Sequence, residues 1–274
     1  MHTGDAACPR PHPAPASGTK APGPARIGPI PSAFGETLAH AREIAAELLW
    51  SSRCVVCDRP GPVLCAACRA ELAYIDRWQA CPRCGAPYGR LVCTECNAFA
   101  LRQRGLSALP FQRCASAVAH DEAARRIVTA YKDAGERRLA PVIAELCAAQ
   151  IGPGSATAQT VLTYIPASAA ARRRRGFDHI QEIAHALAHR TGLRCTGLFA
   201  RPDGRDQRGL DRAARMANME GRLTVLPGHA DQLPEKIIVF DDVCTTGATL
   251  VSAASALTQA GCRQVFCLTF SRVP

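Results

Sequence analysis

The sequence predicts an α/β fold with a largely parallel sheet, preceded by a small cysteine-rich metal module and a structureless N-terminal tail. Three observations predict it. Short apolar runs, VLTYIP (161–166), KIIVF (236–240) and VFCLTF (265–270), alternate with helical stretches over 121–131, 137–150, 177–191 and 247–260. Eight cysteines form four CxxC pairs between Cys54 and Cys96. Residues 1–31 hold eight prolines and four glycines and show no apolar period.

Taken in order, residues 1–32 cannot bury enough surface to offset their ordering entropy and read as a disordered tail. Residues 33–52 carry Leu38, Ile44, Leu48 and Leu49 at roughly helical spacing, which predicts one amphipathic helix. The cysteine block occupies 53–97 and the α/β region 110–274. A hydrophobic content of 47% over 274 residues suffices for a packed core. No run of 18 apolar residues occurs, so no membrane span or membrane partner is expected, and the N-terminus lacks the apolar stretch of a secretory signal. Formal charge is +10, with 30 arginines and only three lysines. Residues 1–96 carry net +2 and residues 97–274 net +8, so the α/β region is the basic part.

The pairs Cys54/Cys57, Cys65/Cys68, Cys81/Cys84 and Cys93/Cys96 have metal-ligand spacing and not that of a disulfide framework. One CxxC turn presents two thiolates to a tetrahedral ion, so eight thiols suit two structural Zn2+ ions, in sequential or interleaved pairing. Closed four-cysteine sites leave no open position for catalysis. Redox chemistry is the competing reading. The block holds little apolar material, so metal would supply most of its folding free energy. Thiols kept reduced for metal point to the cytoplasm. Cys114, Cys147, Cys195, Cys244, Cys262 and Cys267 read as isolated.

The most informative stretch is Asp241-Asp242-Val243-Cys244-Thr245-Thr246-Gly247-Ala248-Thr249, between a buried strand and a helix. Backbone N–H groups at the helix start make an anion site aided by the helix dipole. Gly247 lets the backbone approach a phosphate, and the threonine hydroxyls add donors. The two carboxylates can accept from vicinal sugar hydroxyls or hold Mg2+ through water. Phosphate and diol at this separation suggest a ribose 5-phosphate. The lysine of a Walker loop is missing, and there is no G-x-G-x-x-G. A receiver-type acidic pocket or a plain helix cap would not explain the Thr-Thr-Gly-x-Thr run.

Asp241–Thr249 resembles the phosphoribosyl-pyrophosphate (PRPP) motif of type I phosphoribosyltransferases. With the four CxxC pairs upstream, residues 50–272 resemble the ComF family, in which a double zinc ribbon precedes a phosphoribosyltransferase domain. Lys132 in Ala-Tyr-Lys-Asp resembles the family's Leu-Lys-Phe element. Ile165-Pro166 followed by Arg175-Gly176-Phe177 resembles its Val-Pro … Arg-Gly-Phe segment, with Asp178-His179 in place of Asn-Gln. Gln207, Leu210, Arg215 and Asn218 fit its later Gln-x-x-Leu … Arg-x-x-Asn spacing. The resemblance implies a type I phosphoribosyltransferase-like parallel sheet flanked by helices, and a PRPP site made by Asp241 to Thr249. It implies catalytic roles for Asp241, Asp242 and Arg175, and pyrophosphate or substrate contacts from Lys132, Arg174, Arg175 and Gly176. His179 is expected on a helix surface.

The reaction implied is displacement of pyrophosphate from C1 of PRPP by an unknown acceptor, with Mg2+ and arginines stabilising the leaving group. An alternative is a non-catalytic accessory of DNA uptake and natural transformation, the process with which ComF relatives are associated. It would bind single-stranded DNA through the basic run Arg172–Arg175, with DNA-uptake proteins as further partners. Few aromatic residues are available for base stacking, 5% of the chain. A scaffold whose ribbons bind a protein partner is the third reading.

Overall fold

Ladder hydrogen bonds among buried aliphatic runs build the centre of the molecule. The computed structural model describes residues 52–152, 157, 159–200, 223–230 and 232–274, which belong to one unit. The tail over 1–32, nearly all of the helix over 33–52, and Gln207, Leu210, Arg215 and Asn218 lie outside the described residues. The sheet consists of β1 (Arg113–Ala119), β2 (Thr160–Tyr164), β3 (Arg194–Cys195), β4 (Lys236–Cys244) and β5 (Gln264–Arg272). Their order is β1-β5-β4-β2-β3, and every pairing is parallel.

The helices are α1 (Ala66–Ala70), α2 (Ala98–Gln103), α3 (Glu122–Lys132), α4 (Leu139–Ala148), α5 (Ala169–Arg175), α6 (His179–Thr191), α7 (Pro227–Ala230) and α8 (Ala248–Gln259). Local chemistry sets several starts. Asn97, Asp121, Ser168 and Asp178 each accept a backbone N–H three residues on, at the starts of α2, α3, α5 and α6. Gly176 and Gly192 end α5 and α6 in the left-handed conformation. Helices α3, α4 and α6 bury Ile127, Ile143 and Ile183 against Leu162, Phe240 and Phe270 on one face of the sheet. On the other face α8 buries Leu250 and Leu257 against Ile237, Val239 and Val265.

The order β1-β5-β4-β2-β3 has a physical consequence. From β4 the chain crosses by α8 to β5 on one side, and from β2 it crosses by α6 to β3 on the other, over the opposite face. The crossovers therefore diverge between β2 and β4, a switch point of the kind at whose carboxyl ends open α/β sheets place their ligands.

The cysteine-rich segment covers the free edge of β1. Ile75 N–H donates to Ala117 O at 3.0 Å, Ala119 N–H to Ala73 O at 2.8 Å and Cys114 N–H to Arg83 O at 2.8 Å. An edge strand so paired offers no template for another chain. The first half of the segment also adds Val63, Leu64 and Leu72 to the main core, so it is less dependent on metal for burial than its composition predicts.

Several boundaries depart from expectation. β1 is unpredicted because RCASAVA offers small side chains in place of a β-branched run. β4 extends beyond Phe240 to Cys244, because Asp241, Val243 and Cys244 pair with Thr269, Ser271 and Arg272 of β5. The stretch 177–191 begins at His179, and Arg172–Arg175 lie on a short helix of their own.

Gly85 tests the docking of the cysteine-rich segment. Its φ is +74°, and a Cβ there would stand 2.5 Å from the Cys114 carbonyl oxygen. Gly105, at φ +70°, faces open space. Gly105→Ala should cost about 1–2 kcal/mol for the left-handed backbone alone. Gly85→Ala should cost clearly more in urea denaturation, since backbone must also move; equal losses would refute the close approach.

Candidate functional site

Alternation along β4 sends its two acids to opposite faces of the sheet. Asp242 follows Phe240 toward α3 and α6, whereas Asp241 follows Val239 toward α8. Asp242 is 7% exposed. Its Oδ2 pairs with Lys132 Nζ, from the last residue of α3, and lies 3.2 Å from His179 Nε2, from the first residue of α6. Burial alone would disfavour its charge, but Lys132 and His179 overcome that and hold the carboxyl well below the usual carboxylate range.

Asp241 behaves in the opposite way. Burial, and then the charge of Asp242, push its carboxyl up to about 8, with Lys132 pulling only partly back. Its Oδ1 also accepts the Asp242 N–H at 2.9 Å. Next to the pair, Gly247 (φ +73°) begins α8, and Ala248 N–H donates to Thr246 Oγ1 at 3.3 Å. Thr245 is exposed, and Thr246, Gly247, Ala248 and Thr249 are half-buried. Val243 is half-buried and Cys244 buried.

Arg175 completes this corner. Its Nη2 lies 3.5 Å from Asp133 Oδ1 and its Nη1 3.5 Å from His179 Nδ1. Tyr131 O–H donates toward the His179 carbonyl at 2.8 Å and Glu182 Oε2 at 3.0 Å, fixing α6 against α3. Of the residues singled out in sequence, Lys132 pairs with Asp242 and Arg175 reaches the same pair through His179, whereas Asp241 lies on the other face of β4, just before the loop to Thr249. Arg174 is exposed on α5 with Arg172 and Arg173, and Gly176 is the exposed cap of that helix.

Three groups went unread in the sequence. His179, expected on a surface, is 5% exposed and bonded into the acidic pair, because its place at the start of α6 points it at β4. His120 follows β1 directly, and its Nδ1 lies 2.9 Å from Ser271 Oγ. Burial and then Lys132 hold its imidazole below the ordinary value. Cys244 is not isolated: hydrogen bonding from Cys114, opposed by burial and aided by Arg272, lowers its thiol to about 7. Arg272 Nη1 reaches Cys244 Sγ at 3.2 Å.

The eight CxxC cysteines gather sequentially, Cys54, Cys57, Cys65 and Cys68 in one group and Cys81, Cys84, Cys93 and Cys96 in the other. Sulfur atoms around a tetrahedral zinc at about 2.3 Å stand about 3.8 Å apart. Cys57 and Cys65 Sγ lie 3.8 Å apart, Cys81 and Cys96 3.5 Å, and Cys84 and Cys93 3.4 Å, so both groups fit zinc. Burial opposes ionisation of Cys54 and Cys81, yet backbone N–H groups lower these thiols to about 6 and about 7. Both groups are closed by four sulfurs, as a structural site requires. No other cluster of this kind occurs among the described residues.

No family model matches the chain, and no curated protein matches it. Among solved structures it is similar to one described as the structure of the allosteric regulatory enzyme of purine biosynthesis. Identity is 20% over 47% of this chain and 25% of the other, with a TM-score of 0.31. So loose a superposition adds nothing to the site's chemistry. Among the described residues no helix is long and apolar enough to cross a membrane.

Two measurements check this geometry. Elemental analysis of protein expressed with ample zinc should give two Zn2+ per chain; fewer than one would remove the four-cysteine sites. Asp241 governs the second. The folded protein keeps its proton to about pH 8, the unfolded chain only to about pH 4. The native state binds more protons between these values, so this side chain lowers stability as pH rises through that window. Without divalent cations, Asp241→Asn should gain thermal stability over wild type progressively from about pH 5 to 8, and a pH-independent difference would contradict the raised value.

Proposed function

We propose that this chain is a PRPP-binding, phosphoribosyltransferase-like protein of the ComF type, which transfers phosphoribosyl to an acceptor base or amine with release of pyrophosphate. What supports it is the ion pair of Lys132 with Asp242, with Arg175 next to it, at the end of the strand that leads into a donor-rich helix start beside the β2/β4 switch point. In this reading the loop Thr245–Thr249 takes the 5-phosphate, with Gly247 admitting close approach of the oxygens. Asp241 and Asp242 accept from the ribose hydroxyls and fix C1. Lys132 exchanges Asp242 for the pyrophosphate, and Arg175 offers a planar fork to the same group.

In the reaction an acceptor nitrogen forms a bond to C1 while the C1–O bond breaks, its electron pair leaving with pyrophosphate. Positive charge grows on the sugar ring and negative charge on the leaving group, so no protein nucleophile is required. The adjacent carboxylates also suit Mg2+, which when bound neutralises charge on the phosphates.

Calorimetry with PRPP and Mg2+ tests the reading. Gly247→Val should abolish binding, since a β-branched residue does not take φ +73° and its methyls crowd the loop. Asp241→Asn with Asp242→Asn should weaken binding about ten- to a hundredfold, the worth of a charge-assisted hydrogen bond. Equal affinity in all three proteins, or no binding of any ribose 5-phosphate compound by wild type, would overturn it.

A further inference from the structure

The two four-cysteine groups are alike in sequence, but they touch different parts of the fold. The first meets the helices: Arg126 of α3 donates to the Val56 carbonyl at 2.7 Å, and Arg69 pairs with Glu145 of α4 at 2.8 Å. The second meets the loop that starts α8. Cys96, its last ligand, is followed at once by Asn97, whose side chain caps α2 by accepting Ala100 N–H at 2.8 Å. At its far end α2 stops at Arg104, and Arg104 Nη2 donates to the Thr246 carbonyl at 2.9 Å. A second tie runs in parallel. Arg272 donates from Nη1 to the Cys84 carbonyl at 3.0 Å and to Cys244 Sγ, and its Nη2 pairs with Glu95, between ligands Cys93 and Cys96.

The peptide joining Thr246 to Gly247 is trans, so its C=O and N–H point in opposite directions. A guanidinium holding the Thr246 oxygen from behind therefore turns the Gly247 N–H to the opposite side, where an anion at the helix start would sit. The bond has ordinary hydrogen-bond length, 2.9 Å, although Arg104 Nε is buried without a hydrogen-bond partner. The guanidinium is also close: a Cβ on Gly247 would stand 3.7 Å from Arg104 Nη2.

We propose that Arg104 is a positioning residue for the anion loop, and that through it the second four-cysteine module forms part of the sugar-phosphate site while the first does not. This rests on the ribose 5-phosphate reading above. The module orders α2, α2 places Arg104, and Arg104 fixes the peptide that presents Gly247 N–H. Affinity for a 5-phosphate then depends on the integrity of a metal site that does not itself touch the ligand.

The experiment uses the full chain loaded with zinc, with ribose 5-phosphate as the calorimetric probe and hydrogen exchange of amides 245–249 as a second readout. Arg104→Ala should lower affinity about tenfold and speed exchange in the loop, with zinc content unchanged and exchange in β2 and β4 preserved. Arg104→Lys, which keeps a cationic donor, should recover part of both effects, which a simple loss of packing would not allow. Arg126→Ala, at the contact of the first module, should leave both readouts at wild-type values. Cys93→Ser, which opens the second site, should reproduce the Arg104→Ala result; if that variant does not fold, the arginine variants still decide. If Arg104→Ala leaves both affinity and loop exchange unchanged, or Arg126→Ala has the same effect as Arg104→Ala, the proposal is overturned. If wild type binds no ribose 5-phosphate but Arg104→Ala still speeds loop exchange, the positioning role stands and the sugar-phosphate reading falls.

Discussion

A carboxylate sealed at the end of a buried strand must be neutralised where it stands, and Asp242 imposes that requirement on everything around it. Lys132 and His179 meet it from the end of one helix and the start of another, so both helices must reach the same point above the sheet. Tyr131, one residue before Lys132, ties the two helices together through the His179 carbonyl and Glu182. Removing Lys132 would leave the Asp242 charge buried and underpaired, which costs far more than the pair contributes when whole. The neighbouring acid shows the reverse outcome of the same rule. Asp241 lies on the other face of the strand, and burial beside a charged Asp242 leaves it holding its proton. Two identical side chains thus acquire opposite behaviour from the pleat of one strand.

This division suits the polyanionic ligand of the proposed function. Lys132 and Asp242 neutralise one another, with side chains only 20% and 10% exposed. In the proposed function, a pyrophosphate would compete for Lys132 and free Asp242 to accept hydroxyl donors. His179, still bonded to Asp242, keeps that carboxylate from losing all compensation during the exchange. Arg175, against Asp133 and His179, stands within the same cluster.

How much of this was legible in the sequence follows from the range of each interaction. The strand, loop and helix around Asp241 to Thr249 could be read because they are contiguous and their signals are local. The four-cysteine groups could be read for the same reason, although their pairing could not, since sequential and interleaved arrangements share one spacing. β1 was missed because alanine and serine carry no strand signature, its pairing being fixed by β5 and by the cysteine-rich segment over its edge. His179 was misread because 63 positions separate it from Asp242, and a helix start gives no hint of which strand end it will meet. Arg104 and Arg272 were invisible on the same ground: their partners lie 142 and 177 positions away.

Arg272 shows why such distant contacts cannot be replaced piecemeal. Its side chain is 6% exposed, a burial an arginine tolerates only with its charge answered, and here both Nη atoms are bonded while Nε is not. Glu95 answers the charge directly, and Cys244 answers it again with a thiol lowered to about 7. Cys114 hydrogen-bonds to Cys244, and its own thiol is in turn raised well above the ordinary value, so the pair shares one favourable site for negative charge. The strand that carries Cys114 is also the edge strand paired by Arg83, between ligands of the second four-cysteine group. One guanidinium therefore joins the second four-cysteine group, the edge of the sheet and the root of the loop that starts α8. A change at any of these alters the electrostatic balance of the other two, which is why the module is built into the fold and not appended to it.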